Sequence, residues 1–318
     1  MSPARIPTIW TLTDNRAGNL NQAQALAQAI GAVDRHVSLQ FPAPWRWLAP
    51  RGVFGALPHL SLPTDASWPD VAIGCGRQAA LALRAMKHHR RTFTVQILDP
   101  RVETHLFDLV AAPAHDPVRG TNVLTTTGAL NAIGEDWLEK ARRECAELAF
   151  LPRPLIGVLI GGPHRDAPLS EAALESLLEQ IARQIAASGG SFLVCGSRRT
   201  PREWRPMLRA RTLQLGGRVW LDEDDGANLY RACLAHADRL VVSADSVNML
   251  SEACAVGVPV TSFSAGALSG KLARFDATLQ RALLLSPLDQ PAPPVAPLRE
   301  AAALAQAVLQ RWRESTGD

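Results

Sequence analysis

The chain has 318 residues, which is more than one hydrophobic core usually supports, so two domains are expected. Apolar residues make up 47% and charged residues 20%, which excludes a disordered protein, and a net charge of +3 gives no indication of nucleic-acid binding. Five cysteines without a CxxC pair provide neither a disulfide framework nor metal-ligand spacing. No apolar run approaches the ~20 residues of a membrane span and no signal peptide is visible, so a cytoplasmic protein is expected.

The chain opens with a strand, a polar turn and a helix. Residues 8–13 are apolar and β-branched enough to form a buried strand, and residues 21–30 predict a helix. The turn between them, residues 14–19, contains Gly18, which would let a ligand approach the backbone. A strand–turn–helix unit of this kind is by itself a weak indication of function.

Residues 41–62 differ in character from the rest of the first half. They contain Trp45, Trp47 and Phe54 together with two arginines, and no acidic residue. Trp and Arg side chains with apolar neighbours can rest in a membrane interface. A Pro-rich loop folded onto its own domain would have the same composition, so both interpretations stay open.

Two further predicted strands, residues 92–98 and 106–111, end in polar turns. Asp99 and Arg101 follow the first strand, and His115 follows the second. If the sheet is parallel, both turns lie at its carboxyl edge, where open α/β sheets bind ligands. Asp and His can act as general bases, although Asp-Pro and His-Asp-Pro sequences also form ordinary turns.

The best candidate for a linker follows a helix predicted near residues 135–148. The sequence there is Leu-Pro-Arg-Pro, residues 151–154. Two prolines around one arginine after a helix are typical of a linker, so the domain boundary is predicted at this point.

The second half begins with a predicted strand at residues 155–160 and a glycine-rich turn. Gly161 and Gly162 follow the strand directly, and His164 and Arg165 stand beside them. Glycines in this position are expected to expose backbone N–H groups, and that combination suits a diphosphate.

A second basic turn follows the strand predicted at residues 191–195. It consists of Ser197, Arg198 and Arg199, and Thr200 with Pro201 behind it predicts the start of a helix. Further along, the four acidic residues at 222–225 are expected to stay in water. The single tyrosine, Tyr230, is expected either to stack on a base or to pack against its helix.

Residues 241–260 form the most informative stretch of the chain. Val241 and Val242 predict a buried strand, and Ser243, Asp245 and Ser246 can cap the helix that follows. Glu252 lies on that helix, nearly two turns after Asp245 and on the same face. An ordinary surface helix with a solvated glutamate is the alternative interpretation.

Residues 252–260 read Glu-Ala-Cys-Ala-Val-Gly-Val-Pro-Val and resemble the sugar-nucleotide site of glycosyltransferases with the GT-B fold. There the run Glu-Ala-x-Ala-x-Gly-x-Pro-Val places its glutamate on the nucleotide ribose. From residue 10 to residue 275 the chain is similar to the "elongated mitochondria" (ELM) mitochondrial-fission family, whose bacterial members resemble glycosyltransferases. The family shows the Ser-Arg-Arg-Thr of residues 197–200, but many members have His where Asn19 stands here.

This resemblance implies an α/β protein with two Rossmann-like domains facing each other across a cleft, the GT-B type. The C-terminal helix would cross back to the N-terminal domain. We expect an N-terminal acceptor domain at residues 1–152, a nucleotide-sugar domain at residues 153–285, and a Pro-rich segment with the crossing helix at residues 286–318.

The implied function is transfer of a sugar from a nucleotide-sugar to an acceptor, with no metal and no cofactor. A lipid-linked or cell-envelope acceptor would suit the Trp45, Trp47 and Phe54 segment and a peripheral position on the inner face of the cytoplasmic membrane. The candidate bases are Asp14, Asp99 and His115, and the acceptor side would hold Arg16, Gly18, Asn19 and Arg101. The nucleotide-sugar would be bound by Gly161, Gly162, His164, Arg165, Ser197, Arg198, Arg199, Asp245, Ser246 and Glu252.

Two other classes of function stay open. The plant member of the family implies a non-catalytic adaptor in organelle fission. A nucleotide-sugar epimerase would share the fold and the donor site but would need neither an acceptor nor a membrane patch.

Overall fold

The computed structural model describes residues 5–14, 16–31, 33–52, 55, 58, 68–89, 92–290 and 295–317. It divides into two compact units: unit 1 contains residues 1–132 and 299–318, and unit 2 contains residues 133–298. Each unit is built on one parallel sheet with helices packed against it, so the expected α/β class is confirmed.

The strands and helices of the described residues alternate along most of the chain, as parallel sheets require. The strands are β1 (Ile9–Thr13), β2 (Arg35–Ser38), β3 (Val71–Cys75), β4 (Phe93–Ile97), β5 (Leu109–Pro113), β6 (Val123–Thr126), β7 (Leu155–Leu159), β8 (Ser191–Cys195), β9 (Arg218–Trp220), β10 (Arg239–Ser243) and β11 (Val260–Phe263). The helices are α1 (Ala17–Ile30), α2 (Trp45–Leu48), α3 (Arg77–His89), α4 (Glu135–Glu144), α5 (Glu171–Ser188), α6 (Arg205–Gln214), α7 (Tyr230–His236), α8 (Val247–Val256), α9 (Gly270–Arg281) and α10 (Ala301–Thr316).

Unit 1 has a six-stranded sheet in the order β2-β1-β3-β4-β5-β6. Its central strands are buried along their whole length because helices cover both faces. Helix α3 packs on one face, and α1 and α10 pack on the other. Leu304, Val308 and Trp312 of α10 are buried in that second layer, so the expected return of the C-terminal helix to the N-terminal part of the chain is confirmed.

Unit 2 has a five-stranded sheet in the order β11-β10-β7-β8-β9. Helices α5 and α6 contribute to the core on one face, and α4, α7, α8 and α9 contribute to the core on the other. Strands β7 and β10 lie side by side in the middle of the sheet, and their carboxyl ends lead into the segments predicted to bind the donor.

The division between the units falls after residue 132, twenty residues before the predicted boundary at residue 152. Helix α4 accounts for the difference. Leu138 and Ala141 are buried in the core of unit 2, and the Arg142 side chain donates a hydrogen bond to the carbonyl of Ala235 at 2.9 Å. The prolines at 152 and 154 therefore follow a helix that already belongs to unit 2.

Two helices begin at other residues than the sequence predicts. Helix α1 begins at Ala17, four residues earlier than expected. Helix α6 begins at Arg205 after a short 3-10 turn, because the Thr200 hydroxyl is used elsewhere and does not cap a helix. Within the described ranges, no helix combines the length and the apolar character that crossing a bilayer demands.

Candidate functional site

The candidate donor site lies at the carboxyl edge of the unit 2 sheet. The start of α8 follows β10, the glycine turn follows β7, the Ser-Arg-Arg turn follows β8, and the acidic segment follows β9. Because these strands are neighbours in the sheet, at about 4.8 Å spacing, the four segments lie next to one another.

Both glycine N–H groups of the first turn are used within the protein. Gly161 donates to the Ser243 hydroxyl at 2.7 Å, and Gly162 donates to Oδ2 of Asp245 at 3.1 Å. The expectation that these N–H groups are exposed to a ligand is therefore wrong. Glycine is required here by packing, since a Cβ at residue 162 would lie 2.1 Å from the carbonyl oxygen of Arg199.

Arg199 and Asp245 form an ion pair that joins the turn after β8 to the start of α8. The Arg199 guanidinium lies 2.5 Å from the Asp245 carboxylate and also reaches the Asp245 carbonyl at 3.3 Å. The Asp245 side chain is 1% exposed, whereas that of Arg199 is 48% exposed. Both residues were predicted to contact the donor, and the structure brings them together as partners of each other.

The Ser-Arg-Arg turn is closed by its own hydrogen bonds. Ser197 donates its N–H to the Thr200 hydroxyl at 2.8 Å and accepts the N–H of Arg199 at 3.1 Å. The Thr200 hydroxyl in turn donates to the carbonyl of Ile160 at 2.8 Å. Arg198 projects from this turn with an exposed side chain that has no hydrogen bond or ion pair among the described residues.

His164 and Arg165 are exposed beyond the glycine turn. The Nδ1 of His164 accepts the N–H of Asp166 at 3.1 Å, and the Arg165 side chain lies 3.6 Å from the Asp166 carboxylate. Since Arg165 is 88% exposed, this ion pair is weak and leaves the guanidinium available.

Helix α8 confirms two predictions made from its sequence. Ser246 is the N-cap, with its hydroxyl accepting the N–H of Met249 at 3.3 Å, and Gly257 ends the helix in the left-handed conformation. Glu252 lies on this helix and is partly buried.

The Tyr230 hydroxyl donates a hydrogen bond to Oε2 of Glu252. Burial raises the pKa of Glu252 above its ordinary value, while the hydrogen bond from Tyr230 acts in the opposite direction. Burial and the charge of Glu252 raise the pKa of Tyr230 well above its ordinary value. Tyr230 also packs against the core, but its contact with Glu252 is a feature that sequence reasoning missed, since the two residues lie 22 positions apart.

A cavity of about 870 Å³ opens between the Ser-Arg-Arg turn and the segment after β9. Arg205 pairs with Asp222 at 2.9 Å, and Arg209 holds Asp225 through two contacts of 2.6 and 2.9 Å. Asp222 and Asp225 thus form ion pairs, contrary to the expectation that all four acidic residues stay in water. Arg198 and Arg202 also line the cavity, the latter a residue that the sequence analysis did not single out.

In unit 1, Asp14 belongs to a chain of polar contacts at the carboxyl ends of β1 and β3. The Asn19 amide donates to Asp14 at 2.8 Å and accepts a hydrogen bond from the Cys75 thiol at 3.5 Å. The Arg16 guanidinium lies 3.4 Å from the Asp14 carboxylate. Gly18 is part of the first turn of α1 instead of the predicted loop, and its carbonyl accepts a bond from a helix side chain.

The other two candidate bases lie elsewhere on this edge. Asp99 accepts the N–H of Arg101 at 2.7 Å, and Arg101 has a positive φ of 57°. His115 is only 3% exposed. Strand β3 separates β1 from β4, so the strands that Asp14 and Asp99 follow are about 10 Å apart. The structure does not bring the three predicted bases together.

The predicted membrane segment contains the short helix α2. Trp47 is 68% exposed and Leu48 is 47% exposed, while Trp45 is partly buried against the unit 1 core. Phe54 lies outside the described residues.

The chain as a whole is similar to one protein family and to several solved structures. The family described as Mitochondrial fission ELM1 matches residues 17–312. The Mitochondrial fission protein ELM1 of Arabidopsis thaliana is 31% identical over 244 residues, and the match covers 67% of this chain and 55% of the plant protein. The chain thus spans about half the length of that relative.

An uncharacterized protein of Rickettsia prowazekii is 25% identical over 301 residues, which cover 80% of this chain and 82% of the relative. Among solved structures, the UDP-GlcNAc 2-epimerase of Methanocaldococcus jannaschii matches with a TM-score of 0.52 over 95% of this chain and 99% of that one. At 12% sequence identity this similarity concerns the fold alone, which is of the GT-B type.

Proposed function

The chain belongs to the mitochondrial fission ELM1 family, and from its GT-B fold we propose that it is a glycosyltransferase whose nucleotide-sugar donor binds to unit 2. The observation that carries the proposal is the carboxylate of Glu252 on the capped helix α8, at the carboxyl end of a central strand. Ligands of open α/β sheets bind at this edge, and a carboxylate can accept hydrogen bonds from two ribose hydroxyls.

The arginines of the same edge would meet the diphosphate of the donor. Arg198 is exposed and unpaired among the described residues, and Arg165 is held only by a weak surface contact. Positive charge at this place would stabilise the negative charge that grows on the departing diphosphate, which is the larger electrostatic task in sugar transfer. Arg199 would contribute through geometry, because its charge is already paired with Asp245.

We assign the acceptor to unit 1, with Asp14 as the first candidate for its general base. Asp14 is partly exposed, and the Asn19 amide fixes the direction of its carboxylate. Asp99 is the second candidate and is also partly exposed. Burial places His115 third, since a base must reach the acceptor hydroxyl at about 3 Å.

The first experiment measures binding of UDP-GlcNAc and of a panel of nucleoside diphosphates by thermal shift and calorimetry. A ligand at a hundred times its dissociation constant adds about 2.7 kcal/mol of stability. Glu252→Ala is expected to abolish the shift. The matched control is Glu139→Ala, which removes a glutamate of the same unit whose ion pair is exposed on both sides.

Binding by one nucleotide class that survives in Glu139→Ala and is lost in Glu252→Ala would support the proposal. If no nucleotide stabilises the folded protein, or if Glu252→Ala binds as tightly as the native chain, the donor site is not here. The first of these results would favour a non-catalytic adaptor, the alternative that the resemblance to the mitochondrial-fission family implies.

We further propose that the acceptor is lipid-linked and that α2 rests on the bilayer surface. Trp47 and Leu48 expose apolar area, and the exposed Arg46 and Arg51 flank them. Trp47→Ala is expected to reduce co-sedimentation with vesicles that contain anionic lipid. Phe150→Ala serves as the control because Phe150 is an exposed aromatic residue of unit 2. Equal loss in both variants, or no loss in Trp47→Ala, would exclude α2 as the contact.

A further inference from the structure

Tyr230 is fixed in position by the start of helix α7. Its backbone N–H donates to the Asn228 side chain at 2.8 Å, and its ring packs against the core of unit 2. From this place the hydroxyl reaches across to α8 and donates to Oε2 of Glu252. The tyrosine therefore has little freedom to leave the carboxylate.

The Glu252 carboxylate depends on this single contact. Among the described residues, no other group donates a hydrogen bond to it. One carboxylate oxygen is thus held by Tyr230, and Oε1 keeps its acceptor capacity for a group from outside the protein.

We propose that Tyr230 is a positioning residue for Glu252: it orients the carboxylate and keeps it ionised, so that Oε1 accepts a hydrogen bond from a ribose hydroxyl of the donor. This inference rests on the proposed function, because it requires a nucleotide to bind beside Glu252. Tyr230 itself acts through the glutamate and does not contact the sugar.

The Tyr230 hydroxyl matters to ligand binding because it affects the charge of Glu252. Burial raises the pKa of Glu252, and the hydroxyl of Tyr230 opposes that rise by donating to the charged form. Removing the hydroxyl therefore raises the pKa of Glu252 further, and the carboxyl group becomes protonated over a wider pH range. A neutral carboxyl group is a weaker acceptor than a carboxylate, so ligand binding suffers.

Three thiols of the described residues lie on the elements that carry or face the pair. Cys233 on α7 and Cys195 on β8 face Tyr230, and Cys254 belongs to α8. Burial raises the pKa of Cys195 well above its ordinary value and raises that of Cys254 to about 12. With their pKa values raised in this way, these two thiols stay protonated at acidic and neutral pH.

The first test is the pH dependence of UDP binding, with GDP and ADP as further probes, in the native chain, Tyr230→Phe and Glu252→Gln. Native affinity is expected to fall as the pH drops through the pKa of Glu252. In Tyr230→Phe this fall begins at a higher pH than in the native chain, so the variant binds more weakly at mildly acidic pH and equally well at alkaline pH. Glu252→Gln has no such step, because its amide does not titrate.

The second test follows a signal of the native chain, and Glu252→Gln serves as its control. Tyr230 is the single tyrosine, so labelling tyrosine with carbon-13 at Cζ gives one resonance. Its chemical shift is expected to follow the ionisation of Glu252 and to move when the nucleotide is added. The acidic titration step should vanish in Glu252→Gln.

The outcomes distinguish the role of Tyr230 from the presence of a nucleotide site beside Glu252. A nucleotide that binds through Glu252 with the same pH midpoint in native and Tyr230→Phe protein overturns the role of Tyr230 and leaves the donor site in place. A tyrosine resonance that ignores both pH and nucleotide overturns it as well. If no nucleotide binds the native chain at any pH, the proposed function falls and this inference falls with it.

Discussion

Arg198 and Arg199 are neighbours in the sequence, but the structure predicts different effects on stability when each side chain is removed. Arg199 pairs with the buried carboxylate of Asp245, whereas Arg198 is exposed and has no partner among the described residues. We expect Arg199→Ala to destabilise unit 2 and Arg198→Ala to leave its stability unchanged. Arg198→Ala is expected to weaken nucleotide binding directly, because it removes an unpaired positive charge that would attract the diphosphate.

The magnitude follows from the contacts of Arg199. A hydrogen bond to a charged group contributes about 1.5–3 kcal/mol, and breaking a fully buried ion pair costs about 3–5 kcal/mol. The Arg199 side chain is 48% exposed, so in Arg199→Ala water can replace part of the hydrogen bonding that the guanidinium gives to Asp245. The Asp245 carboxylate keeps the Gly162 N–H as a donor. We therefore expect about 2 kcal/mol for Arg199→Ala and less than about 0.5 kcal/mol for Arg198→Ala.

Hydrogen exchange of peptides from β7 and β8 is the appropriate assay, because two compact units need not unfold in one transition. A double-mutant cycle with Asp245→Asn isolates the pair, and a coupling free energy of about 1–2 kcal/mol is expected. Equal destabilisation by the two arginine variants, or strict additivity in the cycle, would refute the structural role given to Arg199.

Three further predictions concern packing and pH. Gly162→Ala should lower the free energy of unfolding by about 3 kcal/mol in a denaturation assay, because the added Cβ would lie 2.1 Å from the Arg199 carbonyl oxygen. Gly134→Ala is the control and should lower it far less, because a Cβ there has nothing within 4 Å. Trp312→Ala should destabilise unit 1 by about 4 kcal/mol in urea, because the ring is fully buried. Burial acts to raise the pKa of Asp225, but its hydrogen bonds, chiefly from Arg209, lower it below the ordinary value. At acidic pH the unfolded state therefore binds more protons than the folded state, and the contribution of ionised Asp225 to the free energy of unfolding is lost as the pH falls. Asp225→Asn should accordingly lose less stability on acidification than the native chain.

The sequence predicts the fold well because the signals of a parallel sheet are local. Buried strands are short runs of apolar residues, and the observed strands lie within a few residues of the predicted ones. The Ser246 cap and the glycine at the end of α8 are also local features, fixed by backbone geometry over a few residues. The position of Glu252 on that helix follows from the same pattern.

The hydrogen-bond partners of the site could not be predicted in this way. Gly162 and Asp245 lie 83 positions apart, and Tyr230 and Glu252 lie 22 positions apart. Whether a glycine N–H after a strand is open or occupied depends on the neighbouring strand, which no local pattern specifies. The same holds for the boundary between the units, which is set by the packing of α4 and not by the prolines behind it.

The polar groups at the carboxyl edge of the unit 2 sheet fall into two sets, an inner ring and an outer ring. The inner ring consists of Ser243, Asp245, Arg199 and the two glycine N–H groups, whose hydrogen bonds and ion pair to one another hold the turns in place. The outer ring, Arg198 and Arg165, presents charge to solvent. Changes in the outer ring should weaken the binding of a diphosphate in a salt-dependent way, because exposed charges are screened over about 10 Å at 0.1 M salt. Changes in the inner ring should weaken binding through geometry, with little dependence on salt, so a salt titration of each variant distinguishes charge recognition from scaffolding at this edge.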